Sequence, residues 1–121
     1  MGLLSKITFW RRRRSVVPVV RLSGVISQSG SLGRRGLSLE SVELQLKKAF
    51  SIKRAKAVAI IINSPGGSPV QSSLIGQRIR DLASRADVPV LAFCEDVAAS
   101  GGYWLAASAD EIFANSASVI G

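Results

Sequence analysis

Histidine is absent from the 121 residues, and cysteine occurs once, as Cys94. No serine or cysteine nucleophile can therefore be paired with a histidine base of this chain. A lone cysteine cannot form a disulfide within the chain, and its place in the apolar run 88–94 is typical of a small buried side chain. We expect no metal ion and no cofactor.

Long apolar runs are also absent. The longest one, residues 57–62, is far shorter than the roughly 18 apolar residues that a membrane-spanning helix requires. Residues 16–20 are too short, and too interrupted by Pro18, to form the apolar centre of a secretory signal. We therefore expect neither a membrane span nor a cleaved signal peptide, and the length suits one modest domain.

Acidic residues are scarce at the front of the chain, where residues 1–56 hold 13 Lys and Arg against two acids. Arg11, Arg12, Arg13 and Arg14 follow a pair of aromatic residues, a pattern suited to an anionic membrane surface, to nucleic acid phosphates or simply to a solvated arm. Nucleic acid is disfavoured because aromatic platforms are sparse. We assign residues 1–15 to a basic N-terminal arm and residues 16–121 to one domain.

Short apolar runs alternate with helical patterns along the rest of the chain. Strands are predicted at 16–22, 57–62, 88–94 and 111–114, with the middle two well buried, and helices at 38–52 and 69–85. Ser38 or Ser41 is a candidate cap of the first helix, and Ser68 with Gln71 forms a predicted capping box for the second. The alternation predicts an α/β fold with a mostly parallel sheet, and residues 23–36 a mobile or turn-rich loop.

Two glycine-rich corners follow the two most apolar strands, at residues 63–68 and 98–103. The amides of Gly66 and Gly67 can approach a ligand closely, and Ser100 stands between small residues before a helix. Taken singly, each corner has a plainer explanation as a tight turn or an ordinary cap. Together they predict an oxyanion hole beside a serine nucleophile. A lipase-type nucleophile elbow is disfavoured, because Ala98 stands where its first glycine belongs.

These two corners, in this order and spacing, resemble those of the signal peptide peptidase SppA family, and the resemblance covers roughly residues 16–121. It implies the fold of Clp protease and the crotonases. It also implies that Ser100 attacks a peptide carbonyl in a membrane-retained signal peptide or another short apolar peptide, and that amides of Gly66, Gly67 or Gly101 bind the oxyanion. A lysine base, a homo-oligomer and a bacterial location, cytoplasmic or peripheral to the inner membrane, are further implications.

One part of the family pattern has no counterpart here. The lysine base of the SppA family lies well downstream of the nucleophile, and no lysine follows Ser100 in these 121 residues. Lys47, Lys48, Lys53 and Lys56 all precede the strand before the first corner, so we expect them at the opposite end of the sheet. We therefore interpret the chain as an N-terminal fragment of an SppA-like domain with an incomplete sheet. The alternatives are an inactive truncated paralogue and a crotonase-like enzyme acting on a coenzyme A thioester.

Overall fold

The computed structural model describes residues 14–28 and 36–121. Strands and helices alternate in the order β1 (Val19–Ser23), α1 (Leu39–Phe50), β2 (Val58–Ser64), α2 (Pro69–Ala86), β3 (Val90–Ala98), α3 (Gly101–Ala107), β4 (Glu111–Ala114) and β5 (Val119–Ile120). The first four strands lie side by side in chain order, and β5 pairs with the end of β3 beyond β4. Every pairing of these strands is parallel, so the α/β prediction is confirmed.

All three helices cover the same face of the sheet. Strands in chain order, joined by helical crossovers of one hand, place their helices on one side, and a single cluster of buried side chains joins the helices to the strands. Its largest fully buried members are Leu22, Ile26, Leu46, Ile60, Ile62, Ile75, Ile79 and Leu105. No helix within the described ranges covers the other face, and there Phe93 (39% exposed) stacks on Phe113 (46% exposed) with ring centroids 5.1 Å apart. The prediction that residues 88–94 are well buried therefore holds for one face only.

The helix caps follow from short polar side chains. Ser38 Oγ accepts a hydrogen bond from the N–H of Ser41 at 3.1 Å, and Ser41 Oγ accepts one from the N–H of Ser38 at 2.9 Å, so the two candidate caps form one reciprocal capping box. Ser68 caps α2 as predicted, with Oγ accepting from Gln71 N–H at 3.2 Å. The Gln71 side chain, however, accepts from the N–H of Leu39 at 2.9 Å, so it links two helices instead of completing a second capping box.

The predicted loop at 23–36 is held firmly at both of its described ends. The N–H of Ser27 donates to Leu37 O at 2.9 Å, and the N–H of Leu37 donates to Val25 O at 2.8 Å. Ile26 between them is 1% exposed and belongs to the core. Of the two alternatives predicted for this segment, residues 25–27 fit the turn-rich excursion and not the mobile loop, while 29–35 lie outside the described residues.

Most of the predicted basic arm lies outside the described residues, which include Arg14 but not Arg11, Arg12 or Arg13. Arg14 is exposed. The division of the chain into an arm and a domain stays a prediction. Over residues 14–28 and 36–121, no helix combines the length and the apolar character needed to cross a membrane.

Asp110 ties the turn after α3 to the start of β3, and this contact gives a pH-dependent stability. Its Oδ2 accepts a hydrogen bond from the N–H of Val90 at 2.7 Å and lies 3.4 Å from Arg80 Nη1. The Val90 hydrogen bond, more than Arg80, holds the pKa of the carboxyl below its usual value. Because the native pKa is the lower one, the stabilisation is complete above the unfolded-state pKa of about 3.9 and is lost as the pH falls through the native pKa.

We expect Asp110→Ala to lower the free energy of unfolding at pH 7 by about 1 kcal/mol, and to lower it less at pH 3. Asp110→Asn is the matched control, because it keeps an acceptor for Val90 and has no charge to titrate. Urea unfolding at both pH values measures the difference. An Asp110→Ala loss that is the same at both would show that the ionised carboxylate contributes nothing.

Candidate active site

The first corner is shaped by the peptide unit of Ile26. The N–H of Ile26 donates to Gly66 O at 2.9 Å, and the N–H of Ser68 donates to Ile26 O at 2.7 Å, so the two bonds bracket Gly67. Gly66 and Gly67 have φ of 99° and 146°, which disfavour any residue with a side chain. A Cβ on Gly67 would also collide with the carbonyl oxygen of Ile26. Only glycine fits at position 67.

The second corner places Ser100 in a backbone conformation that non-glycine residues rarely adopt, with φ 53° and ψ −119°. Such a conformation costs on the order of 1–3 kcal/mol and persists only where the surroundings impose it. The N–H of Ser100 donates to Gly121 O at 2.7 Å, and its carbonyl accepts from Trp104 N–H at 3.1 Å, so both peptide groups are held. Ser100 is exposed, and its hydroxyl forms no hydrogen bond to any residue that the structure describes.

The two corners lie in direct contact, as the parallel sheet predicts. A Cβ on Gly66 would lie 2.7 Å from the nitrogen of Gly101 and 2.9 Å from Cβ of Ser100. The carbonyl of Ser64 accepts a hydrogen bond from Ala99 N–H at 3.1 Å. The same carbonyl oxygen lies so close to Gly102 that a Cβ there would collide with it. The structure thus brings Gly66, Gly67, Ser100 and Gly101 to one edge of the sheet.

The three glycine amides differ in whether their N–H groups already donate a hydrogen bond. The N–H of Gly66 donates to Ser64 Oγ at 3.1 Å, so it is occupied within the corner. The N–H groups of Gly67 and Gly101 have no hydrogen-bond partner within the described ranges. Of the three predicted donors, the amides of Gly67, which is exposed, and Gly101, which is buried, therefore have no partner among the described residues, and Gly66 serves the close approach of the corners.

A base for the Ser100 proton is not found among the lysines that the structure describes. Lys47 and Lys48 lie in the last turn of α1, and Lys53 and Lys56 lie between α1 and β2. Ser100 follows the other end of the parallel strands, so these lysines lie at the opposite end of the sheet, as expected. The described residues likewise contain no group of His, Cys, Asp or Glu able to hold a metal ion.

Cys94 is a poor alternative nucleophile. It is buried on the helix-covered face of the sheet, and burial raises the pKa of its thiol. A thiol becomes reactive through exposure and a lowered pKa. Cys94 instead packs in the core, which confirms its prediction as a small buried side chain.

Ile26 and Ser64 hold the two corners, and sequence reasoning missed both. Ser64 is fully buried. Its hydroxyl accepts a hydrogen bond from Gly66 N–H in the first corner, and its carbonyl accepts one from Ala99 N–H at the second. A serine at the end of an apolar strand and just before Pro-Gly-Gly could have signalled such a role. Ile26 gave no signal, because Val25 and Ile26 are only two apolar residues among serines and glycines and show no periodicity.

Residues 83–121, which include the second corner, match the model of Peptidase family S49. Relatives agree with this match: the chain is 34% identical over 105 residues to Protease 4 of Haemophilus influenzae and 35% identical over 111 residues to the chloroplastic serine protease SPPA of Arabidopsis thaliana. These matches cover 87% and 89% of this chain. The matched segment is similar to peptidase family S49. The resemblance to the SppA family is confirmed.

These two relatives are much longer than this chain, which spans 17% of the Haemophilus protein and 16% of the Arabidopsis protein. A further relative, the Na(+)/H(+) antiporter NhaA of Brucella melitensis, is 54% identical over 123 residues, which is 99% of this chain and 17% of that protein. The antiporter name describes a whole protein of which the aligned part is a minor share. The family model, by contrast, describes the matched residues 83–121 themselves.

The two hydrogen bonds of Ile26 on either side of Gly67 give a stability prediction with an internal control. Gly24 also has a positive φ, 100°, but a Cβ there would meet nothing within 4 Å. Gly24→Ala should therefore cost only backbone strain, about 1 kcal/mol. Gly67→Ala adds a collision with a main-chain carbonyl and should cost about 3 kcal/mol or more. Chemical denaturation measures the free energy of unfolding of both variants. Equal losses would mean that the hydrogen bonds of Ile26 add no constraint at Gly67.

Proposed function

We propose that this chain carries the nucleophile part of a serine peptidase, with Ser100 attacking the carbonyl carbon of a peptide bond. The observation that carries the proposal is the strained backbone of Ser100, held at positive φ beside a glycine corner. Strain of this kind persists where surrounding contacts impose it and is common at functional sites. Ser100 itself is exposed, and its hydroxyl has no hydrogen bond to any described residue.

The amides of Gly67 and Gly101, which have no partner among the described residues, are the proposed oxyanion donors. As Ser100 Oγ bonds to the carbonyl carbon, negative charge develops on the carbonyl oxygen, and fixed N–H groups stabilise that charge without having to reorganise. One donor comes from each corner, so the contact between the corners sets their relative position. Gly66 belongs to the same substrate-facing edge, but its own N–H is bonded to Ser64.

The base in this proposal is a neutral lysine from outside the described residues, in another part of the protein or another subunit. Burial disfavours the charged form of lysine and lowers its pKa, so that the amine can accept the serine proton near neutral pH. The same lysine, once protonated, would give its proton to the leaving amine. Such a dyad would work without histidine, which this chain lacks.

The finer features of the proposal rest on the resemblance to the SppA family. They are a membrane-retained signal peptide or another short apolar peptide as substrate, a bacterial location, cytoplasmic or peripheral to the inner membrane, and a homo-oligomeric assembly. The residues that would contact a membrane surface are Arg11, Arg12, Arg13 and Arg14. Of these, the structure describes Arg14, which is exposed.

Replacing Ser100 tests the proposal in the protein as its source cell makes it. Ser100→Ala removes one hydroxyl and should abolish hydrolysis of an apolar peptide substrate while leaving the thermal midpoint nearly unchanged. Ser100→Gly should be equally inactive but more stable, by about 1 kcal/mol, because glycine adopts positive φ without strain. Turnover assays and thermal unfolding of both variants are the measurements.

Two results would count against the proposal. Hydrolysis that survives in Ser100→Ala would exclude Ser100 as the nucleophile. A Ser100→Gly variant no more stable than Ser100→Ala would show that the backbone at Ser100 stores no strain. The two readouts are independent, so the chemical and the conformational parts of the argument are tested separately.

A further inference from the structure

Strand β3 changes register against β2 just before it reaches the second corner. Ile62 pairs with Cys94, but Ser64 pairs with Ala98, so one residue of β2, Asn63, faces three residues of β3. A bulge of this kind bends the strand and leaves main-chain groups without their ladder partners. The direction in which β3 enters the corner therefore depends on how the bulge is held.

The side chain of Asn63 holds this bulge. Its Oδ1 accepts a hydrogen bond from the N–H of Val97 at 3.2 Å, which fills the gap in the ladder. The main chain of Asn63 is fixed from the other side, because its carbonyl accepts from the N–H of Gly24 at 2.9 Å and its Cα pairs with Ser23 of β1. The amide oxygen thus projects from an anchored position.

We infer that Asn63 is a positioning residue for Ser100, a conclusion that rests on the proposed peptidase function. Val97 lies three residues before Ser100 in the chain. Between them, Ala99 N–H is bonded to the carbonyl of Ser64, the next residue after Asn63. Consecutive residues of β2 therefore fix both Val97 and Ala99, and together they set the direction in which the chain enters the strained turn at Ser100.

Loss of the Asn63 oxygen would act on the geometry of the reaction more than on substrate binding. Without an acceptor, the partly buried Val97 N–H must find another partner, and the bulge would relax toward one. A shift of about 1 Å in a reacting group can cost on the order of 100-fold in rate. The substrate-binding surface on the first corner is held separately, by Ile26, and would stay in place.

The test compares variants of Asn63 in the protein as its source cell makes it. Asn63→Ala should lower kcat by about 10- to 100-fold, with KM changed less than about twofold. Asn63→Asp keeps an acceptor of the same shape and should recover kcat to within about fivefold of the parent. Gln77→Ala removes an exposed side-chain hydrogen bond, to Ser73, away from the corners and should leave both constants unchanged. The rate at which a fluorophosphonate labels Ser100 should fall in parallel with kcat.

Full activity in Asn63→Ala would overturn the inference, as would a loss that Asn63→Asp fails to rescue. If Asn63→Ala does not fold, Asn63→Leu, which keeps the side-chain volume, replaces it; failure of both to fold would assign Asn63 to stability instead of positioning. Ser100→Ala separates this result from the proposed function. If Ser100→Ala remains active, the proposed function itself fails, whatever the Asn63 variants do.

Discussion

The contact between the two glycine corners is the constraint on which the site depends. Gly66 lies so close to the main chain at Ser100 and Gly101 that a single Cβ would not fit between them. On the other side, Gly102 lies against the carbonyl of Ser64. Because main chain meets main chain, the relative position of the corners is set by peptide groups rather than by flexible side chains. A donor and a nucleophile built in this way need little rearrangement before they act.

The parallel sheet makes this contact possible. Strands β2 and β3 are neighbours and run in the same direction, so the turns that follow them leave the sheet at the same edge. Helices α2 and α3 then pack on the same face and keep the turns together. The bulge at Asn63 supplies the last adjustment, because an unbroken register would pair Asn63 with Glu95 and carry the second corner two residues further past the first.

The sequence predicted the layout well because apolar runs and caps are local signals. The strand at 111–114 was placed with its correct bounds, and the helix predicted at 69–85 ends one residue later, at Ala86. Strand β3 was predicted to stop at Cys94 and continues to Ala98, since two acidic residues interrupt its apolar pattern at the bulge. Strand β5, two residues long, has no periodicity to detect. Which glycine amide stays open depends on Ser64, and such a side-chain choice is decided only in the folded chain.

The one-sided sheet has a thermodynamic consequence. The heat capacity of unfolding grows with the apolar area newly exposed to water, and on the open face Phe93 and Phe113 are already well exposed in the native state. The described part of the chain therefore gains less apolar exposure on unfolding than a sheet covered on both faces would. Its stability curve should be broad and shallow, so that its stability changes little over ordinary temperatures. Any element that came to cover Phe93 and Phe113 would steepen that curve as well as raise it.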